Sequence, residues 1–470
     1  MGYSEPFYSA ALNLNDPSPL YEKMTENKQS FRVLIAGAGI GGLATAISLA
    51  RVSGLSNLDI HIYEQAPELV EIGASIALGP NGMRTLERLG VHEALSAHLG
   101  FRGPSGIPQI FRHWKSNQVV SVDTHTNVPD GRHQTTRFHR GHLHAALLAH
   151  VPRCSIHLSK SVVRAEASEE EAVLFFSDGT EAHGDLLIAA DGIRSRVRQS
   201  LLPDYHLKFT GKVFARSTFD ASLVEGKIPG LPLDAVHWWG PSNSFFASKL
   251  GKGQYTTVGA YQDSRSGEEL DKAITWNQTG NVAHFRETYK DWNPVVRRLA
   301  ELTPTVRLFP NYAGSALPTW LPAPRAALLG DAAHTHGGAF AAGGSLALDD
   351  ALALGLALRH VSSESRAADA VLQLGEVQHA LTLYDGTRQP HASKLLDIVH
   401  GALAKNQPSC ASAEAEDEAL ITRLKNRPDL TWLSEHDVEA AFARTVQQLC
   451  HGQARQKEPK EATFQSKNKL

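Results

Sequence analysis

The segment Phe31 to Gly42, FRVLIAGAGIGG, with the acid at Glu64, forces a βαβ unit on the amino-terminal part of the chain. Arg32-Val33-Leu34-Ile35-Ala36 reads as a short, fully buried strand. Gly37-x-Gly39-x-x-Gly42 then opens an apolar helix, LATAISLARV, and Leu58 to Tyr63 reads as the next strand. In such a unit Gly37 permits the tight turn and Gly39 lets the backbone approach a pyrophosphate. Gly42 lets helix and strand pack closely. The free N–H groups and dipole of the helix face the phosphates. Glu64 follows Gly42 by 22 residues, in range to accept hydrogen bonds from an adenosine ribose. The pattern specifies a dinucleotide without saying which one, or what chemistry is done with it.

At 470 residues the chain exceeds one simple core, so two domains, or one carrying an insertion, are expected. A formal charge of -3 gives no polyanion-binding signature, which argues against nucleic acid as a partner. Cys154, Cys410 and Cys450 are scattered and fit a reducing compartment better than a disulfide framework or a metal site. No run has the length of a membrane span and no signal pattern precedes the first strand. A soluble, cytoplasmic protein with no membrane partner is the expectation.

Two further buried strands stand out. Leu186 to Ala190 runs into Asp191-Gly192, and Ala326 to Leu329 runs into Gly330-Asp331. Gln109 to Asp123 alternates like a hairpin around Ser116-Asn117. From about Phe209 to Val306, stretches such as KVFARSTF, VHWWG and YTTVGAY suggest a mostly antiparallel sheet, followed by helices around 284 to 302. Residues 366 to 400 read as helical, Gln407 to Glu418 as a Ser/Ala/Glu linker. The expected fold is α/β: a discontinuous Rossmann-like nucleotide-binding domain with an inserted, mostly antiparallel β-sheet domain and a helical carboxyl-terminal part. The boundaries are 30–100, 135–205 and 318–400 for the first domain and 101–134 and 206–317 for the insert. Residues 401–450 form the carboxyl-terminal helical segment, between a loosely ordered extension at 1–29 and a disordered tail at 451–470.

Three Gly-containing strand ends thus line up, and in open α/β sheets ligands sit outside the carboxyl ends of strands. The arrangement resembles the group A, single-component FAD-dependent aromatic monooxygenases, in particular the salicylate hydroxylase-like members. The resemblance spans roughly residues 31 to 450. It rests on YEQAPELVEIGASI, HRGHL at 139–143, DGIRSRVR at 191–198, GDAAH at 330–334, YDGTRQP at 384–390 and WLSEHDVEAA at 432–441. It implies that Gly37, Gly39 and Gly42 hold the FAD pyrophosphate and Glu64 the adenosine ribose. Ala77 falls where the family backbone contacts the cofactor. Arg140 matches an arginine that contacts the FAD phosphates. Asp191 and Gly192 match a motif linked to FAD and NAD(P)H. Asp331 matches the residue that binds the ribityl chain, and Gly343 and Gly344 lie where backbone N–H groups face the flavin ring. Arg216, in FTGKVFARSTF, matches a substrate-domain arginine assigned an active-site role in some fungal members.

The chain also departs from the family. A proline is usual eight residues after the Gly of GD, and here that position is Gly338. The usual Tyr-Pro pair on the strand after the arginine strand is replaced by Ser248-Lys249. Tyr261 is a nearby phenol with no assigned place. His334 and His336 invite a metal reading, but no ligand set completes it, so no metal is expected. Trp238-Trp239 reads as core or pocket wall, and His139, His142 and His144 as surface or capping residues. The resemblance implies that NADH or NADPH reduces FAD and that a flavin C4a-hydroperoxide hydroxylates a small phenolic or aromatic acid, with O2 as co-substrate and CO2 lost if the attacked carbon bears a carboxylate. Two alternatives stay open: an epoxidase on the same scaffold acting on a larger natural product, and a non-catalytic flavin-binding interaction module.

Overall fold

The computed structural model describes residues 30–69, 74–152, 155–263, 278–364, 371–404 and 412–457, with Arg265 and Glu269. The expected amino-terminal extension lies outside the described residues; of the expected tail at 451–470, residues 451–457 instead continue helix Val438–Lys457, and 458–470 lie outside the described residues. So do residues 407–411 of the expected 407–418 linker.

A five-stranded parallel sheet carries the nucleotide motif. Its order is Ala326–Leu328, Leu186–Ala189, Phe31–Ala36, Leu58–Tyr63 and Ile156–His157. Phe31–Ala36 sits at its centre, with Val33 to Ala36 fully buried, as an uninterrupted apolar run requires when helices cover both faces. Helix Ile40–Val52 follows it and is buried along Leu43, Ala44, Ile47 and Ser48. It packs on the long helix Gly343–Glu364 through small side chains. A Cβ on Gly355 would stand 2.2 Å from the Ser48 hydroxyl, so the helices can approach this closely only with glycine there.

The second large layer is an eight-stranded sheet in the order Gln278–Thr279, Arg307–Ala313, Lys208–Asp220, Gln254–Gln262, Ser244–Lys249, Val236–Trp239, Ile110–His113 and Val119–Val122. Its pairs are antiparallel except Val236–Trp239 with Ile110–His113. Residues 110–122, the expected hairpin, therefore join the sheet built mainly from residues 208–313. Strand alternation gives this sheet two unlike faces. Ala215, Phe219, Trp238, Phe245 and Ala247 point to helices Val282–Thr288 and Pro294–Leu302 and form a core with Phe285, Tyr289 and Leu299. Phe214, Arg216, Val258, Phe246, His237 and Trp239 occupy the other face, and their registers put them side by side.

That second face looks toward the nucleotide-binding layer. The Thr256 hydroxyl lies 3.0 Å from the Ser75 hydroxyl, on a short strand Ser75–Leu78 that pairs with Thr136–His139. The carboxyl-terminal linker is shorter than expected, because helix Ala413–Lys425 begins within it. Ser412 caps it through Ala415 N–H, Glu414 and Glu416 sit in its first turn, and Arg423 and Lys425 in its last. Leu420 and Leu424 anchor this helix on Phe111 and Trp239. A composition rich in Ser, Ala and Glu suits a solvated linker and a capped surface helix equally well. Among the described residues no helix is long and apolar enough to cross a membrane.

Candidate active site

The Gly-rich turn has the geometry its spacing implies. Gly37 adopts φ +96°, and a Cβ there would meet Ala190 O at 2.6 Å. A Cβ on Gly42 would fall 2.0 Å from Gly37 O, so any side chain would force the turn off the helix. Gly39 is extended and offers helix Ile40–Val52 no side-chain cap. The nearest atom to a Cβ on Gly39 is Arg140 Nη2 at 3.9 Å. The helix N-terminus and a guanidinium therefore border one space, a cradle suited to a pyrophosphate.

Glu64 reaches back over this turn: its carboxylate accepts Ala38 N–H and Ala66 N–H, each at 2.9 Å. Burial lowers the pKa of Arg140, and the charges of Asp331 and Glu64 oppose that shift. Three residues far apart in sequence are thus electrostatically coupled. His144, expected as a surface or capping residue, is buried and holds the turn through Ala38 O at 2.8 Å.

Asp191 ends the second strand, and Gly192 follows with φ +76°. One Asp191 oxygen accepts Arg196 N–H at 2.7 Å and Val197 N–H at 3.1 Å, in the first turn of helix Arg196–Leu201, whose N-cap is Ser195. The other oxygen is buried without a partner, and burial raises this carboxyl above its ordinary range. Arg198 links this loop to the third strand end. Its buried guanidinium donates to Ile193 O, Asp331 O and Ala332 O at 2.7, 3.1 and 2.9 Å. Nothing in IRSRVR distinguishes it from a surface arginine.

At the third strand end Gly330 turns the chain with φ +61°, and Asp331 opens helix Asp331–His334 with its side chain exposed. The short helix is held by a buried ionic cluster absent from the expected site. Asp350 accepts from His334 Nε2 at 2.7 Å, Arg388 Nε at 2.8 Å and Gly330 N–H at 3.0 Å. Its neighbour Asp349 accepts from Asn81 and Thr85. His334 is thereby committed to a carboxylate, and among the described residues no His, Cys, Asp and Glu group is arranged to hold a metal.

The chain then passes through a loop with left-handed backbone at Gly337, Gly338, Phe340 and Ala341. For the last two, which carry side chains, such angles are strained and require support from the surroundings. A Cβ on Gly338 would find Arg216 Nη2 as its nearest neighbour at 3.9 Å. The loop thus brings the inserted sheet's arginine to the nucleotide-binding layer. Gly343 and Gly344 start the long helix behind it. Gly344 packs on Ile76, where a Cβ would lie 2.7 Å from the isoleucine Cδ1. Ala77 lines a cleft of about 320 Å³ with Gly79, Phe340 and Ser345.

Arg216 stands on the open sheet face. It is half-buried, its guanidinium lies 5.4 Å from the Phe214 ring and 5.2 Å from the Phe309 ring, and Nε has no hydrogen-bond partner. No carboxylate pairs with it among the described residues. Burial pushes its pKa down to about 10, with Arg140 adding to the shift and Asp331 opposing it. It is therefore a cation at neutral pH with unspent charge. Along the same face lie Phe246, Val258, His237 and Trp239, with Arg137 5.9 Å from the Phe246 ring. Trp238 and Tyr261 point the other way, into the helix-covered core and onto His284. The combination offers a flat apolar surface and positive charge.

Comparison with known proteins agrees with this geometry. Residues 30–224 match a family described as FAD binding domain. The chain is 29% identical over 380 residues to 6-hydroxynicotinate 3-monooxygenase of Bordetella bronchiseptica, covering 78% of this chain and 90% of that protein. It is 30% identical over 375 residues to 3-hydroxybenzoate 6-hydroxylase of Klebsiella oxytoca, covering 78% and 86%. Its fold is similar to that of a salicylate hydroxylase substrate complex, with a TM-score of 0.69 at 22% identity over 89% of this chain and 98% of the other. The chain belongs to the single-component FAD-dependent aromatic monooxygenases.

Proposed function

We propose that this NAD(P)H-dependent flavoprotein hydroxylates a small aromatic ring that binds as an anion, a hydroxylated aromatic acid or phenol. The observation that carries the substrate reading is Arg216, a cation without a carboxylate partner among the described residues, set beside the ring-lined face and the Gly338 loop. The two curated relatives are named for rings that carry both a hydroxyl and a carboxylate. In this reading residues 30–100, 135–205 and 318–400 hold FAD, and 101–134 and 206–317 hold the substrate.

Gly37, Gly39 and Gly42 with Arg140 hold the pyrophosphate, and Glu64 the adenosine ribose. Asp331 holds the ribityl chain, Ala77 and the N–H groups at Gly343 and Gly344 the ring, and Asp191-Gly192 borders the same cofactor. The fit is supported by the cradle at Gly39 and by the unpartnered buried oxygen of Asp191. When bound, FAD takes electrons from NAD(P)H and activates O2 so that one oxygen atom is transferred to the ring.

The chain's own residues prepare the ring. A free phenol ionises near pH 10, and an adjacent cation in a partly desolvated site lowers that by about 1–3 units. Arg216 thereby holds the hydroxyl as its oxyanion, which pushes electron density onto the carbon to be attacked. Phe214, Phe246 and Val258 position the ring and exclude water. The test is FAD-loaded protein with NAD(P)H and a panel of hydroxybenzoic and hydroxypyridine acids. Substrate-stimulated oxygen uptake with a hydroxylated product supports the reading. Failure of every phenol and aromatic acid to stimulate it overturns the reading.

A further inference from the structure

His336 is nearly inaccessible to solvent, at 3% exposure, yet neither ring nitrogen finds a hydrogen-bond partner. A buried polar group in this condition is rare, because each lost hydrogen bond leaves its desolvation uncompensated. The position is informative. His336 Nε2 lies 3.2 Å from the point where a Cβ on Gly343 would stand, and Asp331 Oδ1 lies 3.8 Å from that same point. The imidazole, the Asp331 carboxylate and the N-terminus of the 22-residue helix Gly343–Glu364 thus converge on one spot. Its backbone is tied elsewhere, bridging to Ala313, so the ring is carried on a fixed support. His334, two residues earlier, has its Nε2 engaged by Asp350, and the two rings are 6.4 Å apart without bonding.

We infer that His336 is a further cofactor-binding residue, hydrogen-bonding the polar edge of the isoalloxazine where the ribityl chain meets the ring. The inference rests on the FAD reading given above. Burial lowers the imidazole pKa to about 4, with Asp331 opposing the shift and His334 adding to it. The ring is therefore neutral at pH 7 and offers one donor and one acceptor. An uncharged donor suits an edge already faced by a helix dipole.

The test compares wild type, His336→Met and His336→Gln as full chains, with and without FAD. Methionine fills the volume without polar nitrogens, so the FAD-free variant should melt at the wild-type temperature or higher. Its FAD dissociation constant should rise about tenfold, and its flavin absorption bands should shift. Glutamine, which restores a donor and an acceptor, should recover most of the affinity. Unchanged affinity and spectrum in His336→Met overturn the inference. So does affinity lost together with FAD-free stability, which marks a packing role. A wild-type chain that binds no FAD at all overturns the underlying reading as well.

Discussion

Replacing Arg216 with methionine should separate binding of the substrate anion from stability of the fold. Arg216 touches two aromatic rings and no carboxylate among the described residues, so its removal breaks no ion pair. Two unit charges about 4 Å apart attract by about 4 kcal/mol at an effective dielectric of about 20. After exchange of water, a hydrogen bond to a charged group retains about 1.5–3 kcal/mol. Spent on an oxyanion that strengthens toward the transition state, this predicts a loss of about 10- to 150-fold in kcat/KM. The assay is NAD(P)H oxidation and oxygen uptake against pH, with peroxide measured in parallel. If the phenolate is the reactive form, kcat/KM rises with pH, and in the variant that limb moves to higher pH. In wild type the limb should fall again above about pH 10, where Arg216 loses its proton. Peroxide should take a larger share of turnover in the variant. The FAD-free variant should be no less stable, because a half-buried cation without a carboxylate partner already carries part of its desolvation cost. An unchanged kcat/KM and pH profile would refute the assignment of Arg216.

Gly42→Ala places a Cβ 2.0 Å from Gly37 O, so FAD binding should be lost while the inserted sheet stays folded; fluorescence titration with FAD checks this. Asp350→Ala leaves His334, Arg388 and Gly330 N–H without their shared acceptor in the core. It should cost about 3–5 kcal/mol in urea unfolding, and a shift below 1 kcal/mol (about the value of a surface pair) would contradict the role given to this cluster. Burial holds His237 and His436 at about 3 and His336 at about 4 when folded, against about 6.5 unfolded. Between pH 6.5 and about 3 the unfolded chain therefore binds more protons, and stability should fall as pH drops through that window. A urea midpoint that stays flat from pH 7 to about pH 4.5 would count against it.

The elements that could be read from sequence are those whose chemistry is local. Gly37, Gly39 and Gly42 announce themselves because one turn needs all three, and Asp191 and Asp331 because each ends an apolar run. Arg198 could not be found this way: it bonds three carbonyls, one on the loop after Gly192 and two on the helix Asp331–His334, and IRSRVR alone reads as a solvated basic segment. Asp350 and Arg388 lie on separate long helices and become partners only when those helices pack. Alternation showed that Arg216 and Ala215 face opposite ways. Which face meets the cofactor layer depends on the Thr256–Ser75 contact and the Gly338 loop, both long-range. The split of Trp238 into the core and Trp239 onto the open face has the same origin.

The central claim is that one atom of O2 is inserted into an anionic aromatic ring under control of this site. Turnover of FAD-loaded protein with NAD(P)H and isotopically heavy O2, followed by mass spectrometry of the aromatic product, tests it most directly. One heavy oxygen should appear as the new ring hydroxyl for each substrate consumed, with little peroxide. Product without heavy oxygen, or NAD(P)H oxidation matched entirely by reduction of O2 to peroxide across the panel of hydroxylated acids, would contradict it.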